Sequence, residues 1–441
     1  LVDTVNDEGR GLPWLLDGAR EALAAVADRA VPHPAHGRAR RLVGLPALGT
    51  GWGAAAGQRG TLLARLLPVL HDAADAYDYD VALVLREPSD LAAAQRLRRA
   101  GHGAWDLPDD LRRLAEHLGA QAAAGELAVF AGAGVSAAAG LPTWGALVDE
   151  LAESAACEPA LREGLAQLPP QDSAALLARE LGQERLAAYV QERFGARSYA
   201  LVHAVLAALP VQELVTTNYD PLLELAAEGI GRDLRVLPFD EPAAERPWLL
   251  KLHGDAARPD SIVLTREQYL QTGDHRAALA GVLQALLLTR HVLFVGSSML
   301  DDDLVRIAHD VRSALRAPET GAARRTGTVL ALTEDPARAR LWAQDVDTVA
   351  MAPRGTDPAE AARRLEVFLD LVGCVACPPH GYLLDPAYRG MLADDEAALA
   401  SALRALDGQV SGDARRTRAW REVESVLRRL GADPAPEPPG S

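Results

Sequence analysis

Cysteine, lysine and aromatic residues are all scarce in this chain, and it has no long apolar run. Its three cysteines, Cys157, Cys374 and Cys377, cannot make a disulfide framework. An odd, small number fits a reducing compartment. Cys374 and Cys377 form a lone CxxC. One such pair supplies only half of the ligands that a structural zinc needs. Pro378 and Pro379 follow at once, where a redox motif would open a helix. The pair therefore reads as two ordinary cysteines in a loop, and no metal is expected. Aromatic residues make up 5% of the chain, too few for the stacking platforms that bind single-stranded nucleic acid. Positive charge is also in deficit. The net charge of −16 repels a phosphate backbone, which argues against nucleic acid as a partner. Lys251 is the only lysine, a usage that reports a GC-rich genome more than a function. No apolar stretch approaches the ~20 residues of a membrane span. No basic-then-apolar leader opens the chain. A cytoplasmic protein away from the membrane is the expectation. Leu1 is not an initiator methionine, so a natural start further upstream is expected as well.

What is present is ordinary for a globular protein. Hydrophobic residues are 49% and charged residues 24% of 441 positions. That length implies two or three domains. No internal repeat at solenoid periods occurs. Residues 1–108 read as an α/β domain: an apolar strand (Leu42–Leu48), a Gly-rich loop, a helical period (Thr61–Tyr77) and a second strand (Val81–Leu85). Strand, helix, strand with glycines at the first strand end is a βαβ unit. "HGAWDLPDD" carries turn chemistry, with Pro108-Asp109 starting the next helix.

Residues 109–373 alternate short apolar strands with helices. The expected strands are Leu127–Ala131, Glu213–Thr216, Trp248–Leu252, Ile262–Leu264, Val292–Val295 and Thr328–Ala331. This alternation predicts a parallel sheet covered on both faces. Glu150–Ala208 reads as a long helical insertion. Residues 374–430 form a helical segment with two amphipathic patterns (Asp394–Leu406 and Ala414–Leu430) that dock on the body. "GADPAPEPPGS" ends the chain as a linker-like tail, and residues 431–441 are expected to be disordered.

Four strand ends carry small or polar residues where core residues would be expected. Gly132, Ala133 and Gly134 follow the first strand of the larger segment, and Ser136 opens a helical stretch. Backbone amides at such a turn attract phosphate, and glycine lets a pyrophosphate come close. By itself GxG after a strand also serves as a plain tight turn. "LVTTNYDPLL" places Asn218 and Asp220 after a second strand. "WLLKLHGD" places His253 and Gly254 after a third. "VLFVGSSMLDDDL" places Gly296, Ser297 and Ser298 after a fourth. Ligands in open α/β sheets bind at the carboxyl ends of strands, and one cleft would collect all four clusters.

The motifs GAGVS, TTNYD, KLHGD and FVGSSMLDDDL, in that order over roughly residues 120–370, resemble the sirtuin superfamily. They look closest to its SIR2-like branch in prokaryotic defence proteins. The resemblance implies a Rossmann-type domain that binds NAD and breaks the bond between nicotinamide and ribose. It implies contacts to the diphosphate and neighbouring ribose from Gly132, Ala133, Gly134 and Ser136. Asn218 would orient water and ribose beside the scissile bond. Asp220 would hold the nicotinamide carboxamide, and His253 would be the catalytic histidine. Gly296, Ser297 and Ser298 would support the adenine-side ribose and phosphate. These roles suit the chemistry. Departing nicotinamide leaves an oxocarbenium-like ribose, which fixed polar groups stabilise. A histidine can take a proton from a ribose hydroxyl or an attacking water.

The chain also departs from deacylating sirtuins. Gly254 to Gly296 is short and holds no cysteine, so the zinc module and the lysine groove beside it are missing. Thr143-Trp144-Gly145 stands where those enzymes carry phenylalanine-arginine. Water is then the expected nucleophile, and a NAD glycohydrolase releasing nicotinamide and ADP-ribose is the leading reading. It would act in anti-phage defence by NAD depletion, controlled by homo-oligomerisation or by a ligand on another domain. A protein deacylase or ADP-ribosyltransferase is one alternative, and a non-catalytic nucleotide sensor is another. Asp301–Asp303 read as a negatively charged helix start. Trp144 reads equally as core or pocket wall, and Arg266 and Tyr269 in "LTREQY" fit this branch without an assigned role. In the N-terminal segment, "LVGLPALGTGWGAAAG" followed by a helix and "DVALVLRE" is similar to the latter half of macro domains. That resemblance implies ADP-ribose or a related nucleotide at Gly49, Thr50, Gly51 and Gly53.

Overall fold

The computed structural model describes residues 11–29, 34–49, 55, 57–102, 105–165, 167–243, 246–271, 273–299, 301–315 and 325–432. The chain divides into two compact units. One comprises residues 1–35, 39–106 and 377–441, and the other residues 36–38 and 107–376.

In the first unit, β1 (Arg41–Pro46) and β2 (Tyr79–Val84) pair in parallel, with Arg41 opposite Tyr79 and Pro46 opposite Val84. The Arg59–Tyr77 helix joins them, which is the expected βαβ unit. Its apolar face (Leu62, Leu66, Val69, Leu70) packs against Leu15, Leu16 and Leu23 of the Leu12–Ala27 helix. The C-terminal helices Asp394–Gln409 and Arg418–Arg429 belong to this unit. Trp420 and Leu427, from the apolar stripe of the second, bury against Leu383, Leu384 and Ala400. The Tyr388 hydroxyl donates to the buried Asp90 carboxylate, and Arg59 stands 3.4 Å from the same group. Burial pushes Asp90 above the ordinary carboxylate range, against the pull of Tyr388 and Arg59. Thr50, Gly51 and Gly53, expected from the sequence to form a phosphate loop, lie outside the described residues, as do residues 433–441.

The second unit holds β3 (Leu127–Ala131), β4 (Glu213–Thr216), β5 (Arg235–Leu237), β6 (Trp248–Lys251), β7 (His291–Val295), β8 (Gly327–Thr333) and β9 (Val346–Ala352). Among the described residues they form one parallel sheet in the order β5-β6-β4-β3-β7-β8-β9. All five residues of β3, LAVFA, are buried, as are four of the five in β7. Continuous apolar strands of this kind fit a sheet covered on both faces. Phe130 and Phe294 meet across β3 and β7 with ring centroids 5.2 Å apart. From β3 the chain runs outward through β4 to the edge strand β5, turns back into β6, and then crosses to β7 on the other side of β3. The strand order therefore reverses between β3 and β7, and a ligand crevice opens at such a reversal.

Three expectations need correcting. Ile262–Leu264 is buried but is not a strand. The Val263 amide donates to the His253 carbonyl at 3.0 Å, and the segment makes isolated bonds of this kind without entering the ladder. The sheet has two further strands, β5 and β9. The first is only three residues long, and Asp347 and Thr348 break the apolar run of the second. Cys374 lies inside the Pro358–Ala376 helix and Cys377 directly after it, both buried and outside any disulfide, so the pair closes a helix. Among the described residues no group of side chains could hold a metal ion, and no helix is long and apolar enough to cross a membrane.

Candidate functional site

The crevice is built first by two glycine turns pressed together. The Gly132 amide donates to the Val295 carbonyl and the Gly134 amide to the Gly296 carbonyl, each at 2.9 Å. A Cβ on Gly132 would stand 2.6 Å from the Gly296 oxygen, and one on Gly134 would stand 2.9 Å from the Gly296 Cα. Gly296 has φ +64, and a Cβ there would meet the Val135 nitrogen at 2.4 Å. The glycines are thus required by the contact between the β3 and β7 exit loops, before any ligand is considered. Ser297 Oγ accepts the Met299 amide at 3.2 Å, while Ser298 is exposed. Ala133 is half-buried beside the turn.

A polar chain then links the β4 exit to this turn. The Thr216 hydroxyl donates to the Ala131 carbonyl (2.7 Å) and accepts the Asn218 amide (3.0 Å). Asn218 Nδ2 donates to the Gly132 carbonyl (3.1 Å) and to Ser136 Oγ (2.9 Å). Ser136 Oγ donates onward to Asp220 Oδ2 at 2.7 Å, and Asp220 Oδ1 accepts the Leu222 amide at 3.2 Å. Gly132 O can only accept and Ser136 has spent its proton, so the network fixes which way the Asn218 amide points. Three of the residues singled out in the sequence therefore form one connected unit with Gly132.

Beneath the Tyr219–Asp220 backbone lies Lys251, 1% exposed. Its ammonium donates to the carbonyls of Tyr219 (3.3 Å) and Asp220 (2.9 Å). It also contacts Glu224 Oε1 (2.6 Å) and Asp255 Oδ2 (3.1 Å). Burial raises the pKa of Glu224, and the lysine opposes that rise. Sequence reasoning assigned Lys251 no role. The available signal was a lone lysine closing an apolar strand. His203 was missed as well. It is fully buried in the Leu201–Ala208 helix, and its Nδ1 accepts the Ala200 amide at 3.3 Å. Burial lowers its pKa, against the opposing charge of Asp220. Nothing in the sequence around it distinguishes it from a core histidine.

His253, 4% exposed, follows β6 in a turn that Gly254 completes at φ +93. A Cβ on Gly254 would fall 2.2 Å from the Ser261 carbonyl. Gly254→Ala combines that collision with a backbone region that L-residues avoid. It is expected to cost at least about 2 kcal/mol in a denaturant melt. A loss below about 0.5 kcal/mol would show that the turn can relax.

Two further side chains reach His253. Tyr269 Oη lies 3.5 Å from Nδ1, and the two rings meet edge-on at 5.5 Å. Asp301 Oδ2 lies 3.4 Å from Nε2 and 3.4 Å from Tyr269 Oη. Asp301 Oδ1 accepts the Leu304 amide at 3.2 Å, so the expected helix start is real, but it accounts for one oxygen only. The side chains of Asp302 and Asp303 lie outside the described ones. Arg266 pairs with Asp172 of the helical insertion, one of its bonds being 3.0 Å. Trp144 packs, partly buried, against the core of that insertion.

Comparison with known proteins matches residues 212–351 to the SIR2-like domain family. A protein named NAD(+) hydrolase ThsA from Enterococcus faecium is 32% identical over 204 residues, 44% of this chain and 41% of that protein. One of the same name from Cytobacillus dafuensis is 30% identical over 192 residues, 42% of this chain and 38% of that protein. Defense-associated sirtuin 2 of Bacillus subtilis is 24% identical over 199 residues, 43% of this chain and 19% of that protein. The matched segments thus span less than half of each relative's length. The family match runs across β4 to β9, and over that stretch the chain is similar to a SIR2-like domain.

Proposed function

We propose that the second unit cleaves NAD to nicotinamide and ADP-ribose with water as the nucleophile. The observation that carries this reading is the polar chain of Asn218, Ser136 and Asp220, hydrogen-bonded to Gly132 beside the Gly296 turn. His253 stands at the neighbouring strand end. Gly132, Ala133, Gly134 and Ser136 would face the diphosphate and its ribose, with Gly296, Ser297 and Ser298 on the adenine side. Asn218 has committed both Nδ2 protons, and among the described residues its Oδ1 makes no hydrogen bond. That oxygen is left to accept from a water or a ribose hydroxyl. His253 would take the proton as the attacking oxygen bonds to C1′ and the nicotinamide nitrogen leaves. The names of two relatives support hydrolysis, and that of a third supports a defence role, which on this reading would act by NAD depletion.

An enzyme that drains NAD needs restraint, and we propose that self-assembly supplies it. ADP-ribose or a related nucleotide in the first unit would be a second control. Purified protein incubated with NAD is expected to release nicotinamide and ADP-ribose in equal amounts. Specific activity should rise steeply with protein concentration. Intact NAD at every concentration would sink the hydrolase reading, and a flat specific activity would remove control by assembly. Cysteines outside any disulfide fit a reducing compartment such as the cytoplasm.

A further inference from the structure

We infer that Asp301 and Tyr269 are positioning residues for His253, holding its imidazole and balancing the charge it acquires during NAD cleavage. The role in cleavage rests on the hydrolase reading above; the geometry does not. Three separate segments deliver the three groups. His253 comes from the β6 exit, Tyr269 from the Arg266–Gln271 helix, and Asp301 from the residue before the Asp302–Leu315 helix. Every pair among them is 3.4 to 3.5 Å apart. Catalytic hydrogen bonds are often this long before substrate binds and tighten in the complex.

The division of labour within Asp301 is the sharpest clue. A helix cap needs one oxygen, and serine or asparagine supplies it as well as aspartate does. Oδ1 caps by accepting the Leu304 amide at 3.2 Å. Nothing in capping asks for the second oxygen to lie 3.4 Å from an imidazole whose side chain is 5% exposed. A buried imidazole that takes a proton becomes a cation where water cannot solvate it, and a carboxylate at that distance offsets the cost. Tyr269 has one hydroxyl proton and two acceptors within reach, His253 Nδ1 and Asp301 Oδ2. It can therefore donate to the ring when Nδ1 is bare and turn to the carboxylate when Nδ1 carries a proton. Of the other charged groups on these segments, Arg266 pairs with Asp172 and Asp255 with Lys251.

The test compares wild type, Asp301→Asn, Asp301→Ser and Tyr269→Phe in the full chain. Both Asp301 variants keep the cap, so melting temperatures should stay close to wild type. Asp301→Asn is expected to lower kcat about a hundredfold with the KM for NAD nearly unchanged. The acid limb of its pH–rate profile should move to lower pH by about one unit. Asp301→Ser should behave alike, and Tyr269→Phe should lose about tenfold in kcat. Wild-type kcat with an unmoved profile in Asp301→Asn would overturn the inference. A second readout does not depend on turnover: the ring nitrogen shifts of His253 in a ¹⁵N spectrum, assigned by their loss in His253→Ala. They should change in Asp301→Asn and in Tyr269→Phe, and unchanged shifts would also overturn it. Should wild type leave NAD intact, the hydrolase reading fails, and the nitrogen shifts alone decide the positioning role.

Discussion

Lys251→Met is expected to destabilise the second unit by about 3–5 kcal/mol, the usual penalty for removing one member of a buried ion pair. The methionine chain fills nearly the same volume, so packing changes little. What is lost is the ammonium that sits among four oxygens, those of Glu224, Asp255, Tyr219 and Asp220. Glu224 is the more exposed to this loss: its Oε2 has no hydrogen-bond partner among the described residues, whereas Asp255 keeps the Ala257 amide (2.8 Å) and Arg258 (3.4 Å). Two carbonyls of the β4 exit loop would also lose their donor, and an unsatisfied buried acceptor is itself costly. For a unit of this size the fall in melting temperature should be on the order of 10 °C. A shift under about 2 °C in calorimetry would mean that the carboxylates find other partners. Because Lys251 is the only lysine, the side chain also reports on itself. An amine-reactive reagent should leave Nζ untouched in the folded protein and modify it when the site loops open, which peptide mass spectrometry reads directly.

Much of the candidate site's connected geometry lies at strand ends that stand out in the sequence, for a physical reason. Strand-end motifs are local: glycine where two backbones touch, and Asn-Tyr-Asp or His-Gly where a strand gives way to a loop. Gly132, Asn218, Asp220 and Gly296 therefore stood out in the sequence, and Asn218, Ser136 and Asp220 share one hydrogen-bonded chain. The reason first given for the glycines was incomplete. They answer to the mutual contact of the β3 and β7 loops, which no single motif displays. The residues whose part was not legible act across long sequence separations. Tyr269 and Asp301 meet His253 only because the sheet crosses back at β7. His203 reaches the neighbourhood of Asp220 from inside the helical insertion. In the fold, β5 and β9 were missed because edge strands are short or polar, whereas the central strands announce themselves as apolar runs. Ile262–Leu264 shows the opposite error. Apolar composition requires burial, and burial alone does not make a ladder.

His253→Ala and Asn218→Ala should each lower kcat for NAD cleavage at least about a thousandfold, which corresponds to about 4 kcal/mol of lost transition-state stabilisation. The two variants remove different things. Without the imidazole, the attacking oxygen has no acceptor for its proton. Without the Asn218 side chain, the water loses the oxygen that aims it at C1′. The KM for NAD should change far less in both, because neither side chain is a main holder of the diphosphate in this reading. Asn218→Asp separates geometry from charge. It keeps the shape but replaces Nδ2 by a second oxygen that faces the Gly132 carbonyl, now 3.1 Å away. Two acceptors cannot share that contact, so the side chain must turn. Activity should fall nearly as far as in Asn218→Ala, even though a carboxylate beside a developing cation is electrostatically favourable. If Asn218→Asp keeps wild-type turnover, charge rather than aim governs this position. If His253→Ala and Asn218→Ala both still turn over NAD at wild-type rates, the chemistry lies elsewhere in the chain.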